Sequence, residues 1–518
     1  MRTLGDAPTR YARLSPDKEA LIFEGNRLTW KMFNERVNRL ANWLVEQGGK
    51  KGDTVSAVAQ NCNQYYELYY AAFKTGMIMA PVNYRLSPAE MLYLLNDSEA
   101  SILFVGEEYL EFVDQHRQEM EFVRTLVSFD GPASGMDDYE TILERSTPRE
   151  PGVDVSEDDV ALVSYTGGTT GLPKGAMLTH RNFVTTVRTI GLIGSVTPNE
   201  ITLQVLPPFH LTIWQTVGVL YMGGTSVLNK KVDLIHVLNL IGSEKVTHLN
   251  LVPVLLNWIL KVPDLDSYDF SSLRFITYGG APIPEAVLEE CIERMTPNFI
   301  QGYGLTESTM LATVLGSEYH VISDDPVAKR RLKSAGREIH HADVRIVDDS
   351  GVELPPGESG EIIIRGPNVM RGYWKNPELT AQRIRGEWLY SNDIGYFDED
   401  WFLYIVDRKE DMIISGGENV YPAEVENVIY QHQDVVEAAV VSTPDEKWGE
   451  AVAASIVLKE GSRLSEVELI SFCKERLGGY KCPRIVRFVP SLPKSPLDKI
   501  LRKEVREEYW KGHERRVH

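Results

Sequence analysis

Apolar positions along the first 280 residues switch repeatedly between a helical and a strand period. Residues 29–47 carry a helical spacing that puts Leu40, Trp43 and Leu44 on one side, with Thr29 as its N-cap. Residues 54–59 then read as a strand, 64–75 as a helix rich in Tyr and Ala, and 78–82 as a short strand. Residues 88–95 read as another helix and 101–105 as another strand. The alternation returns with strands at 200–206 and 225–228 and a helix at 234–241. Such alternation predicts parallel strands joined by crossover helices. Residues 273–277 form a further strand that runs into Tyr278-Gly279-Gly280-Ala281-Pro282. A glycine turn there falls at the carboxyl end of a sheet, where open α/β sheets bind ligands.

From about residue 335 the pattern changes. Strands at 344–347 and 361–365 are separated by Asp348-Asp349-Ser350-Gly351 and Pro355-Pro356-Gly357 turns, which predicts an antiparallel β-rich subdomain over about 335–407. Residues 408–518 carry their own strands, at 438–442 and 452–458, and helices, at 423–430 and 466–477. That is enough chain for an independent domain. The expected fold is therefore α/β, with a large N-terminal domain of α/β-layered sheets over 1–407 and a small α+β domain over 408–518.

Composition narrows the partners. A chain of 518 residues is too long for one ordinary core. Its formal net charge of −20 argues against nucleic acid as the main partner, which needs a basic footprint. Cys62, Cys291, Cys473 and Cys482 lack metal or disulfide spacing and suit a reducing compartment. The adjacent His340 and His341 are expected to point to opposite faces of an extended segment, which makes a metal site there the weaker reading. The N-terminus lacks the apolar core of a signal peptide, and the best apolar run, 249–260, is broken by Asn250, Pro253 and Asn257. A cytoplasmic protein without a membrane span is expected, and association as a homodimer is left open.

The densest chemistry lies in Ser164-Tyr165-Thr166-Gly167-Gly168-Thr169-Thr170-Gly171-Leu172-Pro173-Lys174-Gly175, set between the apolar runs 160–163 and 176–178. Glycines at this density let backbone N–H groups approach and wrap an anion, and the threonine hydroxyls and Lys174 add donors. The Walker loop is excluded, since Gly171 is followed by Leu172-Pro173 and a second strand rather than by Lys and a helix. A plain hairpin tip accounts for the glycines but not for the interleaved threonines and the Pro-Lys-Gly ending. Other stretches carry weaker signals singly. Gln301-Gly302-Tyr303-Gly304-Leu305-Thr306-Glu307-Ser308 offers a ring to stack on a base and a carboxylate for a hard cation, although alone it reads as a turn. In Ser391-Asn392-Asp393, Asp393 can accept from two ribose hydroxyls. The run Asp407-Arg408-Lys409-Glu410-Asp411 resembles a solvated face, and Ser415-Gly416-Gly417 is another close-approach loop. Lys499 sits between a proline-stiffened loop and a short helix.

Taken together, and in this order, these motifs resemble the adenylate-forming superfamily of acyl-CoA synthetases, peptide-synthetase adenylation domains and beetle luciferases. The resemblance spans nearly the whole chain and points to the acyl-CoA synthetase branch. It implies an ATP-dependent acid–CoA ligase, an enzyme that forms an acyl-adenylate with release of pyrophosphate, then a thioester with release of AMP. ATP, Mg²⁺ and coenzyme A are the implied cofactors and co-substrates. By resemblance Thr166, Gly167, Gly168, Thr169, Thr170, Gly171 and Lys174 hold the β- and γ-phosphates, Thr306 the α-phosphate, and Glu307 the metal. Gly280, Ala281, Pro282, Gly302 and Tyr303 flank the adenine, and Asp393 and Arg408 hold the ribose. Lys499 is the implied catalytic lysine, bridging carboxylate and α-phosphate. Glu410 falls at the family's hinge, which makes the 408–518 domain mobile and brings Ser415, Gly416 and Gly417 to the thiol passage. His210 and Trp214 belong to a segment similar to the Phe-His-x-x-x-Trp stretch of fatty acyl-CoA synthetases, with His210 catalytic and His210, Trp214 and Gly279 lining the acid's pocket.

Two departures stand out. The family's glycine before the catalytic lysine is Asp498 here, and its Thr-Gly-Asp segment is Ser391-Asn392-Asp393. Trp214 reads equally as a tunnel gate and as core. No lysine or arginine falls in the expected pocket segments 279–282 and 308–315, which favours an aliphatic or aromatic acid with an uncharged tail. A stand-alone enzyme loading a separate carrier protein is the alternative, since the residues after Lys499 are too few for a fused carrier.

Overall fold

In this computed structural model, residues 1–168, 171–210, 213–281, 283–409, 411–415, 418–445, 448–494 and 500–512 are described; the side chains of Gly167, Gly168, Gly171, Leu172, Glu418 and Asn419 are not. They pack as two compact units, one formed by 1–344 with 364–389 and the other by 345–363 with 390–518. In this grouping residues 345–363 and 390–407, assigned from sequence to the N-terminal part, pack with the C-terminal residues.

The first unit contains two mixed sheets. One runs in the order Gly372–Tyr373, Gly171–Thr179, Val160–Gly168, Ile78–Met79, Thr54–Val58, Ile102–Val105, Thr125–Ser128 and Asp137–Asp138. Its central pairs are parallel, as the strand–helix alternation predicts. The other sheet places Phe299–Tyr303, Phe275–Gly279, His248–Leu251, Ile201–Gln204, Thr225–Leu228 and Glu19–Phe23 side by side and parallel. Leu203, Leu249, Ile276 and Phe299 of these strands are buried against Val237, Leu238 and Ile241 of the helix Leu234–Ser243. The expected helix at 29–47 is Trp30–Glu46, with Thr29 Oγ1 accepting from Met32 N at 3.3 Å. Phe33, Val37, Leu40 and Leu44 form its buried stripe.

Two expectations need correction. The strands Val160–Gly168 and Gly171–Thr179 are antiparallel, with Thr166 opposite Lys174 and Gly168 opposite Gly171. The glycine stretch is thus, in topology, a hairpin, and its threonines and lysine are additions to a hairpin rather than a departure from one. His340 and His341 do not diverge, because Thr189 Oγ1 lies within hydrogen-bond reach of both rings. Local turn geometry at Ile339–Ala342 overrides the alternation of an extended segment.

In the second unit the strands Val435–Asp445 and Gly449–Leu458 pair antiparallel, with Ile485–Phe488 parallel beside the latter. Ala438, Val440, Val452 and Ala454 face one core with Val425, Ile429, Leu469 and Cys473. Ala439, Val441 and Ala453 face another with Val505 and Tyr509. The strict alternation along both strands fills both faces of one sheet. The four cysteines are free and buried. Among the described residues, no helix is long and apolar enough to cross a membrane.

Candidate active site

In the first unit the candidate residues are arranged from the glycine hairpin outward. Gly175 is required there by packing, since a Cβ would lie 2.6 Å from Val163 Cγ1 and 3.3 Å from Trp374 Cβ. Trp374 N donates to Gly175 O at 2.7 Å and Arg371 N to Met177 O at 3.0 Å, so residues 371–374 form the hairpin's outer neighbour. Within that neighbour Tyr373 stands opposite Ala176 in register, and its hydroxyl donates to Glu307 Oε1 at 2.6 Å. Met370 N donates to Glu307 O at 2.7 Å. Glu307 lies on a single 3₁₀ turn, Thr306–Ser308, with its residue only 9 % exposed. The turn is followed by Thr309 and Met310, both left-handed at φ +49 and +73. Asn368 holds that strained pair, accepting at its carbonyl from Thr309 Oγ1 and donating its amide to Ser308 O and Leu311 O. The geometry therefore brings the phosphate hairpin, Thr306 and Glu307 to one place.

Gly279, expected in the acid's pocket, and Gly302, expected beside the adenine, meet on neighbouring strands. Gly279 and Gly302 are register partners at the carboxyl ends of Phe275–Gly279 and Phe299–Tyr303. A Cβ on Gly279 would lie 2.4 Å from Gly302 O, and one on Gly304 would lie 2.3 Å from Met310 O. Gly280 takes φ +77, which turns the chain away at the sheet edge. Tyr303 is buried, and Ala312 N donates to Tyr303 O at 2.7 Å.

His210 is half-buried beside Phe209, their ring centroids 4.5 Å apart. Trp214, 9 % exposed on the helix Ile213–Tyr221, lines an apolar cavity with Val187, Gly191, Met222, His248, Phe275 and Thr277. Its volume is about 20 Å³. Among the described residues, no lysine, arginine or carboxylate lines it. Its walls come from residues 187–222 and from the strands at 248 and 275–277, apart from the segments 279–282 and 308–315 in which the sequence reading expected the acid's pocket. Among the candidates for that pocket, only Trp214 stands in the cavity wall.

In the second unit Asp393 and Arg408 are opposite one another on the antiparallel strands Trp388–Phe397 and Leu403–Arg408. Arg408 Nε lies 2.6 Å from the Asp393 carboxylate, which is 3 % exposed. Asn392, standing where the family has glycine, takes φ +62, a left-handed conformation that Asn tolerates better than most side chains. The charge run from Asp407 is no solvated face at its first member. Asp407 is buried and accepts from the N–H groups of Arg408 and Ala423, each at 2.7 Å. Burial pushes its carboxyl up to about 6, against the lowering pull of Arg502. Arg502 bridges Asp407 at 3.3 Å, Asp411 at 3.5 Å and Glu426, the last through a bidentate contact.

Thr169, Thr170, Pro282, Glu410, Gly416, Gly417 and Lys499 lie outside the described residues. Tyr373, Asn368, Arg502 and His248 escaped the sequence reading. A tyrosine or asparagine in a turn-rich segment carries no local signal, because its partner is some 60 residues away. Arg502 had one, an unusually acidic neighbourhood at 407–411 in need of a counter-charge.

The chain matches the family model for an AMP-binding enzyme over residues 9–374 and that for an AMP-binding enzyme C-terminal domain over 424–499. It is 38 % identical to a feruloyl-CoA synthase of an Amycolatopsis species, covering 98 % of this chain and 99 % of that one. It is 35 % identical to a long-chain-fatty-acid–CoA ligase of Mycobacterium tuberculosis, with 98 % and 99 % covered. Among solved structures it resembles the o-succinylbenzoate CoA synthetase of Bacillus subtilis in complex with its acyl-adenylate intermediate. That match has a TM-score of 0.83 and 31 % identity, over 96 % of this chain and 97 % of the other.

Proposed function

Since the chain belongs to the AMP-binding enzyme family, in its acyl-CoA synthetase branch, we propose a division of labour among its residues. The enzyme is an AMP-forming acid–thiol ligase that uses ATP and coenzyme A. In the first half-reaction a carboxylate oxygen attacks the α-phosphorus, and pyrophosphate leaves. In the second the thiol adds to the acyl carbonyl, AMP leaves, and the thiol proton is released.

The observation that carries the assignment is the junction of the glycine hairpin with Glu307 through Tyr373, next to the Gly279–Gly302 pair. The hairpin grips the departing β- and γ-phosphates, and Thr306 contacts the α-phosphate. The Gly280–Tyr303 shelf takes the adenine. Asp393, desolvated and oriented by Arg408, takes the ribose hydroxyls. Lys499 lies between carboxylate and α-phosphate as charge builds, and Glu410 is the hinge that exchanges Lys499 for Ser415, Gly416 and Gly417 between the half-reactions. His210 serves the reacting carboxylate from the pocket side. Glu307 fits Mg²⁺, as a buried carboxylate with one oxygen fixed by a phenol and acceptor capacity left over. Such an ion is ordinarily held by one or two carboxylates plus substrate phosphates, whose charge it neutralises. The uncharged cavity beside Trp214 favours an acid with an uncharged tail, and the aryl and fatty acids named for the two relatives bracket that class. A cytoplasmic enzyme, either monomeric or homodimeric, fits these co-substrates.

Incubation with ATP, Mg²⁺, CoA and a panel of carboxylic acids tests the reading, with AMP, pyrophosphate and thioester followed together. AMP and thioester are expected in equal amounts, whereas ADP formation would end the mechanism and adenylation without CoA use would favour a carrier protein as acceptor. Lys499→Ala should lower adenylation by about 100-fold or more while leaving thioester formation from a supplied acyl-adenylate nearly intact. Equal loss in both half-reactions would remove Lys499 from the proposed role.

A further inference from the structure

His248 is the one titratable side chain among the described residues that line this cavity, whose wall is mostly apolar apart from Gln215 and Thr277. It stands on a central parallel strand, His248–Leu251, and is 3 % exposed. Its Nδ1 edge is occupied. Thr247 Oγ1 lies at 3.2 Å and Glu200 Oε2 at 3.4 Å. The Thr247 oxygen is an acceptor toward the ring, because its hydroxyl donates its proton to Ile201 O at 3.1 Å, while Glu200 Oε2 has no hydrogen-bond partner among the described residues. The proton of a neutral imidazole therefore resides on Nδ1, and Nε2 presents a bare lone pair. Burial, helped by Arg274, holds this histidine at about 4, below its usual range, so it is neutral at pH 7 despite the nearby Glu200.

Among the described residues that Nε2 has no hydrogen-bond partner. His248 lines the cavity together with Trp214, whose Nε1–H is likewise buried and without a hydrogen-bond partner among those residues. Buried polar atoms left in this state are costly, and a native one calls for an occupant that supplies the missing bond. The room available, about 20 Å³ for water centres, is that of roughly one water. A ring that reaches Nε2 must therefore displace the Trp214 side chain from the wall. The height along the sheet is also informative. His248 is the register partner of Phe275, four residues before Gly279 on the same strand, a run of about 13 Å. The histidine is thus remote from the glycine shelf at which the acid would be activated.

We infer that His248 is a specificity-determining residue whose Nε2 accepts a hydrogen bond from a donor at the distal end of the acid's tail, a phenolic hydroxyl or ring N–H. The substrate class follows, an aryl acid with such a donor remote from its carboxylate, in preference to a plain hydrocarbon acid. This inference rests on the acid-ligase reading and deepens it.

Matched acids test it with the whole enzyme. Adenylation is measured as pyrophosphate release with 3-(4-hydroxyphenyl)propenoate, its 4-methoxy ether and the unsubstituted parent, and with indole-3-acetate against its N-methyl derivative. The donor-bearing member of each set should have a kcat/KM about 10- to 100-fold higher. His248→Leu should collapse that ratio to within about threefold. The wild-type comparison needs no variant to fold, and thermal unfolding reports whether the variant has. Use of the matched acids within about threefold by the wild type overturns the inference alone, as does activity confined to unsubstituted long-chain acids or a donor preference that survives in His248→Leu. Absence of adenylation with every acid overturns the ligase reading and this inference with it.

Discussion

A single hydroxyl decides how Glu307 presents its carboxylate. Tyr373 donates to one oxygen at 2.6 Å in a buried setting, and hydrogen bonds to a charged acceptor are the strong ones. Tyr373→Phe keeps the ring and its packing while removing that bond. Adenylation should fall about 10-fold, and more Mg²⁺ should be needed for half-maximal pyrophosphate release. An unchanged Mg²⁺ dependence would separate Tyr373 from the metal-binding role proposed for Glu307. Asn392 teaches a different lesson at this scale. The sequence shows a substitution at a family glycine, and the φ of +62 explains why Asn is tolerated there. Its backbone keeps the left-handed turn that presents Asp393.

Elements differ in how far their own residues specify them. The helix Trp30–Glu46 was legible because its cap, apolar stripe and length agree. The parallel strands were legible as short apolar runs between helices, and Gly-Gly-Ala at 279–281 marked the ligand edge. What the strand pattern left open was the partner of each strand. The Gly279–Gly302 register shows the consequence, because neither glycine alone reveals that the other's carbonyl lies against it. Gly279→Ala should force these strands apart, lowering stability by about 1–3 kcal/mol and raising the KM for ATP. Thermal unfolding with and without ATP reads both effects, and a variant with wild-type values would show that the strands yield freely.

At the scale of the molecule, charge joins elements that are distant in sequence. Arg502 ties Asp407 at a strand end to Asp411 and to Glu426 on the helix Pro422–Ile429. Arg502→Leu leaves buried carboxylates without their counter-charge, a loss of about 3–5 kcal/mol at neutral pH. The pH sense follows from Asp407. Its folded-state pKa, about 6, lies above the ordinary value of 3.8 for this carboxyl, so the folded state binds the extra proton between those values. Its contribution to stability therefore declines as pH rises from about 4 to 6 and is level beyond. Removing Arg502 takes away the influence that lowers this pKa, which extends the window upward. The variant's deficit, measured by denaturant unfolding at pH 5 and pH 8, should be smaller at pH 5. A deficit independent of pH would show that packing, not charge, is what Arg502 contributes.

By itself the sequence determined the α/β class, the order of the glycine-rich loops and the chemistry they carry. Each of these depends on residue types within one short stretch: glycines for close approach, hydroxyls and a lysine for phosphate, a carboxylate for metal or ribose. Only the tertiary structure decided that the glycine-rich stretch is a hairpin in a sheet, that Tyr373 and Asn368 hold the Glu307 turn, and that residues 187–222 wall a cavity together with His248, Phe275 and Thr277. Those facts depend on which strands become neighbours, and neighbours are chosen by the burial of whole faces. A histidine in an apolar strand reads as core until the structure shows one ring nitrogen against the Thr247 hydroxyl oxygen and the other buried without a hydrogen-bond partner among the described residues.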